Sequence, residues 1–295
     1  MINVSIIGLG LIGGSLGLAL REAPVKVVVC GWDRDPAAVT GAYEREAIDR
    51  PAFTLPEALD SADLVVVATP VTVVQSIFTS IAPHLRPGTI VSDVASTKAQ
   101  VMAWAEDLLP PDVSFVGGHP MAGSERHGIG AARVDLFRNA VYCLTPHERA
   151  APEAVATLEK LVASIGARPL CISAEAHDSY VAAVSHLPFL LSVSLAQLTT
   201  ADQQWPRMRS VAATGYRDLT RLASGDPTMH RDICLTNAEA IRPWLLSMAD
   251  FLRGLADSLN DPVALQMLFE AAKQQRDTWL YEREEPEREP RLVEQ

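Results

Sequence analysis

Asn3-Val-Ser-Ile-Ile-Gly8-Leu-Gly10-Leu-Ile-Gly13-Gly14 stands almost at the start of the chain. An apolar strand runs into G-x-G-x-x-G, and a helical pattern follows from Ser15 to Leu20. Alone, the glycine string is a weak signal; between a strand and a helix it is a dinucleotide fingerprint. Gly8 permits the tight turn, Gly10 lets the backbone approach a pyrophosphate, and Gly13 lets helix and strand pack closely. The free N–H groups at the helix start, in the stretch Leu11, Ile12 and Gly13, then face the phosphates. An ordinary glycine turn would show the same string, so the next residue of the fingerprint decides between the two.

That residue is Asp33. A second apolar strand, Val25-Lys-Val-Val-Val-Cys-Gly-Trp32, ends at it, 20 positions after Gly13. A carboxylate there accepts both hydroxyls of an adenosine ribose and repels a 2′-phosphate, which favours NAD over NADP. Arg34 follows directly and blunts that preference, because an arginine at this corner can contact a phosphate or stack on adenine. Asp35, ahead of Pro36, suits helix capping better than Asp33 does.

Outward from this point the first half alternates. Strand-like runs fall at 4–7, 27–32, 64–68, 89–92, 114–116, 140–144 and 169–172, with helical patterns such as 71–81, 98–108 and 152–165 between most of them. Such alternation predicts an α/β Rossmann-type domain over 1–173, its mostly parallel sheet covered on both faces. From 174 the strand signals stop. Helical periodicity occupies 174–200, 206–223, 227–259 (broken at Pro243) and 262–283, an all-α domain suited to closing over substrate and forming a dimer. The charged run Glu282-Arg-Glu-Glu-Pro-Glu-Arg-Glu-Pro-Arg291 has no apolar face, so 284–295 reads as a disordered tail.

The 295 residues are 48% hydrophobic and 21% charged, the balance of a soluble globular protein with one large or two ordinary domains. A net charge of −11 and a pI of about 5.1 give no footprint for nucleic acid or an anionic membrane. Cys30, Cys143, Cys171 and Cys234 lie far apart with no C-x-x-C pair. They read as buried inert thiols in a reducing compartment, and no metal site is expected. The first strand leaves no room for a signal peptide, and no apolar run approaches membrane-spanning length, so a cytoplasmic location is expected.

Ligands of an open parallel sheet bind at the carboxyl ends of its strands. Those ends carry Gly8–Gly13, Asp33, Thr69-Pro70, Asp93-Val-Ala-Ser96, and Gly117-Gly-His119-Pro-Met-Ala-Gly-Ser124-Glu125. Thr69-Pro70 either lines the nicotinamide side of the cleft or only caps a helix. His119, on a glycine-bounded loop three positions past Val116, is the main candidate for chemistry. A neutral imidazole there can take a proton from a substrate hydroxyl as hydride leaves the same or a conjugated carbon. Ser96, at the previous strand end, is expected to hydrogen-bond that ring and orient it. His186 sits in Val184-Ser-His-Leu-Pro188, in a helix that Pro188 should kink; it either satisfies freed carbonyls or reaches the cleft. Arg217 and Arg221 are four apart and share a helix face. They either clamp a carboxylate or lie on a solvated face where Asp218 offsets one charge.

Taken together, the motifs resemble the prephenate/arogenate (cyclohexadienyl) dehydrogenase family of tyrosine biosynthesis. The matching pieces are Gly8-Leu-Gly-Leu-Ile-Gly-Gly-Ser15, Asp93-Val-Ala-Ser-Thr-Lys98, Gly117-Gly-His-Pro-Met-Ala-Gly-Ser124, Ser185-His-Leu-Pro188, Gly215-Tyr-Arg-Asp-Leu-Thr-Arg221 and Ser224-Gly-Asp-Pro227. The resemblance implies NAD-dependent oxidative decarboxylation of prephenate or arogenate by a homodimer joined through its helical domain. By motif position it implies that His119 takes the proton of the ring 4-hydroxyl and Ser96 supports it. Arg221 would hold a substrate carboxylate with Arg217 in support, His186 would line the pocket, and Ser124 and Glu125 would lie at its mouth. Two departures stand out: Phe189 replaces a second histidine found in some relatives, and Ala95 replaces a common glycine. The tail is too short for a regulatory domain, so feedback by tyrosine through such a domain is not expected. The 3-hydroxyacid dehydrogenases share this architecture but use a lysine on the interdomain helix, and 174–200 contains none. A decayed NAD-sensing protein would be expected to have lost His119 or Arg221, and both are present.

Overall fold

The structure is a computed structural model that describes residues 1–124 and 126–284. Its first elements are β1 (Ile2–Ile7), α1 (Leu11–Glu22), β2 (Val27–Trp32), α2 (Pro36–Glu44), β3 (Arg50–Pro51), α3 (Leu55–Leu59) and β4 (Leu64–Val67). They continue as α4 (Val71–Ile81), β5 (Ile90–Asp93), α5 (Ala99–Leu108), β6 (Ser114–Pro120), β7 (Val141–Pro146), α6 (Pro152–Ser164) and β8 (Arg168–Cys171). Helices follow: α7 (Ala174–Val181), a π-helical turn (Ala182–His186), α8 (Leu187–Thr200), α9 (Trp205–Met208), α10 (Thr214–Thr220), α11 (Pro227–Thr236), α12 (Ala238–Asp257) and α13 (Pro262–Glu284).

The strands form one sheet in the order β3-β2-β1-β4-β5-β6-β7-β8. Every neighbouring pair is parallel except β6 and β7. The chain builds outward from β1 to β3, then returns to the other side of β1 with β4. This reversal puts a ligand crevice at the carboxyl ends of β1 and β4. Both faces are covered, as the continuous apolar strands require. In β4, Leu64 and Val66 pack with Leu16, Leu20, Val39 and Leu161 of α1, α2 and α6. Val65 and Val67 point the other way, into Val74, Phe78, Ile81 and Val101 of α4 and α5. Phe78 meets Phe115 edge-on at 5.5 Å.

The chain divides into two compact units, Met1–Arg242 and Pro243–Gln295. All site residues discussed below belong to the first. The second comprises most of α12 together with α13, and the larger part of the expected tail lies outside the described residues.

Four readings need correction. The expected strand 114–116 extends through His119 to Pro120, because β7 pairs with it antiparallel along that length. The helical run 227–259 is interrupted at Asn237, whose side chain is drawn into long-range hydrogen bonds, while α12 continues through Pro243. By length and composition, Ala174–Thr200 is long and apolar enough to cross a membrane. Its buried His177, Asp178, His186 and Ser192 all bond within the protein, so one side of this segment is packed into the fold. Of the four thiols only Cys143 is buried; Cys171 is exposed, and partial burial plus Glu159 push it up to about 11.

Candidate active site

At the end of β1 the backbone of Gly8 takes φ +104°, and a Cβ there would lie 2.6 Å from the carbonyl oxygen of Ala68. A Cβ on Gly13 would lie 1.9 Å from the Gly8 oxygen. Both positions therefore require glycine. Gly10 differs: nothing lies within 4 Å of its missing side chain, and it caps α1 without a side-chain hydrogen bond. The first-turn N–H groups at Leu11 and Ile12 thus lack a side-chain partner beside open space, the arrangement that suits a phosphate. Asp33 is fixed against this loop. Its carboxylate accepts from Leu9 N at 2.7 Å and from Asp35 N at 2.9 Å. Asp35 does the capping, accepting from Ala37 N at the start of α2, and Arg34 is exposed. The Thr69 hydroxyl is buried with no partner, and Pro70, not Thr69, is the cap of α4. An orphaned hydroxyl beside the glycine loop is a further fit to a polar cofactor.

Around His119 the groups are buried and connected. Gly117 and Gly118 lie in β6 itself, not in a loop. A Cβ on Gly117 would lie 2.3 Å from Thr145 Oγ1, and one on Gly118 would lie 2.4 Å from the Asp93 oxygen. Glycine here lets neighbouring strands approach. Beneath them Lys98, wholly buried, pairs with Asp93 and donates to the Gly118 carbonyl at 2.7 Å. Asp93 also accepts from Ala95 N at 2.8 Å and Gly118 N at 3.0 Å.

His119 is 8% exposed and sits opposite Cys143 in β7. The expected hydrogen bond from Ser96 is not made. Instead His119 Nδ1 lies 2.8 Å from His177 Nε2, and His177 Nδ1 lies 2.8 Å from Asp178 Oδ1. Ser96 is half-buried at the end of β5. Burial, reinforced by the neighbouring His177, Lys98 and His186, holds the His119 imidazole well below its ordinary value, so it is neutral at pH 7.

His186 ends the π-helical turn and is fully buried. Asn237 donates through Nδ2 to the Asp178 carbonyl at 2.9 Å and meets His186 Nδ1 at 3.2 Å. His186 Nδ1 is therefore the acceptor and Nε2 carries the hydrogen. Nε2 is buried with no partner, a donor awaiting an oxygen. Burial depresses this ring to about 4. Beside it, Phe189 stacks on His230 with centroids 4.3 Å apart.

The remaining expected residues are peripheral among the described ones. Arg217 is exposed and donates to Asp218 Oδ1 at 3.2 Å, while Arg221 is exposed just beyond the end of α10. Ser124 is exposed and accepts from Arg126 N at 3.2 Å. Glu125 lies outside the described residues. The sequence reading missed His177, Asp178 and Asn237. A His-Asp pair opening an apolar helix was the one local signal for the first two.

Comparison with known proteins adds the identity. Residues 16–171 match the family model "Prephenate dehydrogenase, nucleotide-binding domain", and 173–268 match "Prephenate dehydrogenase, dimerization domain". The chain is 34% identical to the prephenate dehydrogenase of Bacillus subtilis over 93% of its own length and 75% of the relative's. Among solved structures it is similar to prephenate dehydrogenase from A. aeolicus in complex with hydroxyphenyl propionate and NAD+ (TM-score 0.86, 27% identity, 95% of this chain and 98% of that one). It is also similar to Synechocystis arogenate dehydrogenase (TM-score 0.82, 30% identity, 94% and 100%). With a glycine cradle at the β1/β4 crevice and a buried neutral histidine at the end of β6, both family halves matched in order, the chain belongs to the prephenate dehydrogenase family of oxidoreductases.

Proposed function

We propose that the protein converts prephenate to 4-hydroxyphenylpyruvate and CO2 in tyrosine biosynthesis, with NAD as oxidant and His119 as base; arogenate, giving tyrosine, is the alternative substrate. NAD, when bound, supplies the acceptor for the hydride of the ring carbon that bears the hydroxyl. The residues that fit it are Gly8, Gly10, Leu11, Ile12, Gly13, Asp33, Arg34, Thr69 and Pro70.

On the substrate side, the observation that carries the reading is the neutral, buried His119 whose Nδ1 is engaged by His177. As the hydroxyl-bearing carbon is oxidised, its O–H becomes acidic and His119 Nε2 takes the proton. Loss of CO2 from the opposite ring carbon returns an electron pair to the ring. The oxygen then regains its proton from His119 as the phenol forms, so the cycle leaves no net proton. His186 Nε2–H is suited to donate to a substrate oxygen in the same chamber. Arg221, with Arg217 in support, takes a substrate carboxylate; Ser96 lies at the adjacent strand end, and Ser124 and Glu125 border the mouth.

Residues 1–173 carry the nucleotide and 174–283 the substrate and dimer functions in this reading. Exposed Trp244, Leu246, Phe251, Leu252 and Phe269 leave apolar surface on the second unit, which supports a homodimer. A cytoplasmic location accords with a family of biosynthetic enzymes. The test follows reduced-nicotinamide absorbance with prephenate and arogenate, each with NAD and NADP. His119→Asn is expected to lower kcat by about two to four orders of magnitude with NAD affinity unchanged. Near-normal turnover would reject His119 as the base.

A further inference from the structure

Asp178 lies in α7, which Ser173 caps by accepting from Ala176 N at 3.2 Å. The Asp178 carboxylate accepts from Lys98 N at 2.7 Å and from Ala99 N at 2.9 Å. It thus occupies the N-terminus of α5, where backbone N–H groups and the helix dipole both favour a negative charge. Its third contact is His177 Nδ1 at 2.8 Å. An ionised carboxylate can only accept, so His177 Nδ1 carries hydrogen, and in the neutral ring Nε2 then carries the lone pair. That lone pair faces His119 Nδ1 at 2.8 Å, which must then donate. The hydrogens are ordered along the row, and the lone pair is left on His119 Nε2. Both histidines and Asp178 are buried, so water does not compete for these contacts.

We propose that His177 and Asp178 are positioning residues that lock His119 in the tautomer with hydrogen on Nδ1 and a lone pair on Nε2. The proposal rests on the reading of His119 as the base. Neither residue touches the substrate. Their effect is to make the imidazole a ready acceptor before substrate arrives, so that no tautomer exchange is needed in the cycle. Asp178→Asn is expected to break the order of the row. Oδ1 accepts from both Lys98 N and His177 Nδ1 and Oδ2 accepts from Ala99 N, so an NH2 at either place faces a backbone N–H. With the amide nitrogen at the Oδ1 place, it would donate to His177 Nδ1, His177 Nε2–H would donate to His119 Nδ1, and His119 Nε2 would carry hydrogen; with it at the Oδ2 place, the α5 anchor that holds the carboxylate is lost. Loss of the correct tautomer by an Asp→Asn change is severe in a serine-protease triad, which has the same logic.

The first measurement uses the wild-type protein with imidazole-15N histidine. His119 resonances, assigned by their loss in His119→Asn, are expected to show a pyrrole-like Nδ1 and a pyridine-like Nε2. Hydrogen on Nε2, or a doubly protonated His177, overturns the proposal in the wild-type protein, with His119→Asn needed only for assignment. The second is kinetic. Asp178→Asn and His177→Leu are expected to lower kcat by about a hundredfold or more, with the KM for prephenate and NAD affinity nearly unchanged. His177→Gln is expected to stay within about tenfold of wild type, because its carbonyl can accept from His119 and its amide can donate to Asp178. Equal turnover of the Leu and Gln variants overturns the proposal. Loss of turnover in His119→Asn alongside a wild-type-like His177→Leu removes only the positioning couple. Normal turnover in His119→Asn removes the base itself.

Discussion

Replacing Lys98 with methionine tests whether the buried ion pair beneath the site is a strut. The ammonium has no exposed surface, pairs with Asp93 and donates to the Gly118 carbonyl next to His119. Burial pulls the ammonium below its ordinary value, and the Asp93 charge opposes that fall. Methionine fills a similar volume but leaves the Asp93 carboxylate with only its bonds from Ala95 N and Gly118 N. Stranding one buried charge costs about 3–5 kcal/mol. In Asp93→Asn with Lys98→Met, both charges go and the asparagine can still accept a backbone bond. That double variant is expected within about 2 kcal/mol of wild type, since replacing a whole buried pair is often near neutral. The assay is urea unfolding of the wild type, both singles and the double at one protein concentration, read as a double-mutant cycle. Additive losses, or a Lys98→Met loss below about 1 kcal/mol, would refute the strut.

Three further outcomes are expected. His186 has an ordinary value of 6.5 and a folded one of about 4, so the unfolded chain binds more protons between these values. Stability from this group is complete above 6.5 and falls as pH drops toward 4, by up to about 3 kcal/mol, with His119 acting in the same direction; acid unfolding of His186→Gln should show a shallower slope. Gly13→Ala places a methyl 1.9 Å from the Gly8 oxygen and should abolish NAD binding in a fluorescence titration, whereas Gly10→Ala meets no atom and should keep a wild-type melting temperature. Arg221→Ala is expected to raise the KM for the acid about tenfold or more while kcat changes little, and an unchanged saturation curve would remove it from the pocket.

Much of the nucleotide half was legible because its signals are local. The apolar period of 71–81 and the Pro70 ahead of it delimit α4 correctly, and Asp35-Pro36 marks a helix start that the structure confirms. The misreadings occur where distant contacts override local pattern. Gly117-Gly118 has the composition of a loop, yet both glycines answer to strand neighbours, Thr145 and Asp93. Asn237 looks like an ordinary helical position, and Pro243 looks like the break. The break falls at Asn237 because its side chain serves residues 59 and 51 positions away. His177-Asp178 has the look of an ordinary polar pair in a helix whose first-turn acid is Glu175. Only the fold brings the start of α5 onto that carboxylate and His119 onto that ring. Ser96 was the natural candidate for orienting His119, since adjacency of strand ends is all that sequence supplies.

The antiparallel turn of the sheet at its far side has a consequence for catalysis. Had β6 stopped at Val116, His119 would have stood on a mobile loop, and binding would have had to order it. Instead β7 runs back along β6, pairing His119 with Cys143 and Pro120 with Tyr142. The backbone of His119, the proposed base, is thereby held in a ladder, and its ring is held by His177. A base fixed at both backbone and ring would lose little freedom when substrate arrives, and positioned groups of this kind are where enzymes gain much of their rate. The glycines at 117 and 118 follow from the same demand. A side chain at either would push β6 away from Asp93 and Thr145 and tilt the histidine out of line. The Gly-Gly-His-Pro string is thus read best as strand geometry, with the two glycines bringing the ladder close enough for the third residue to act.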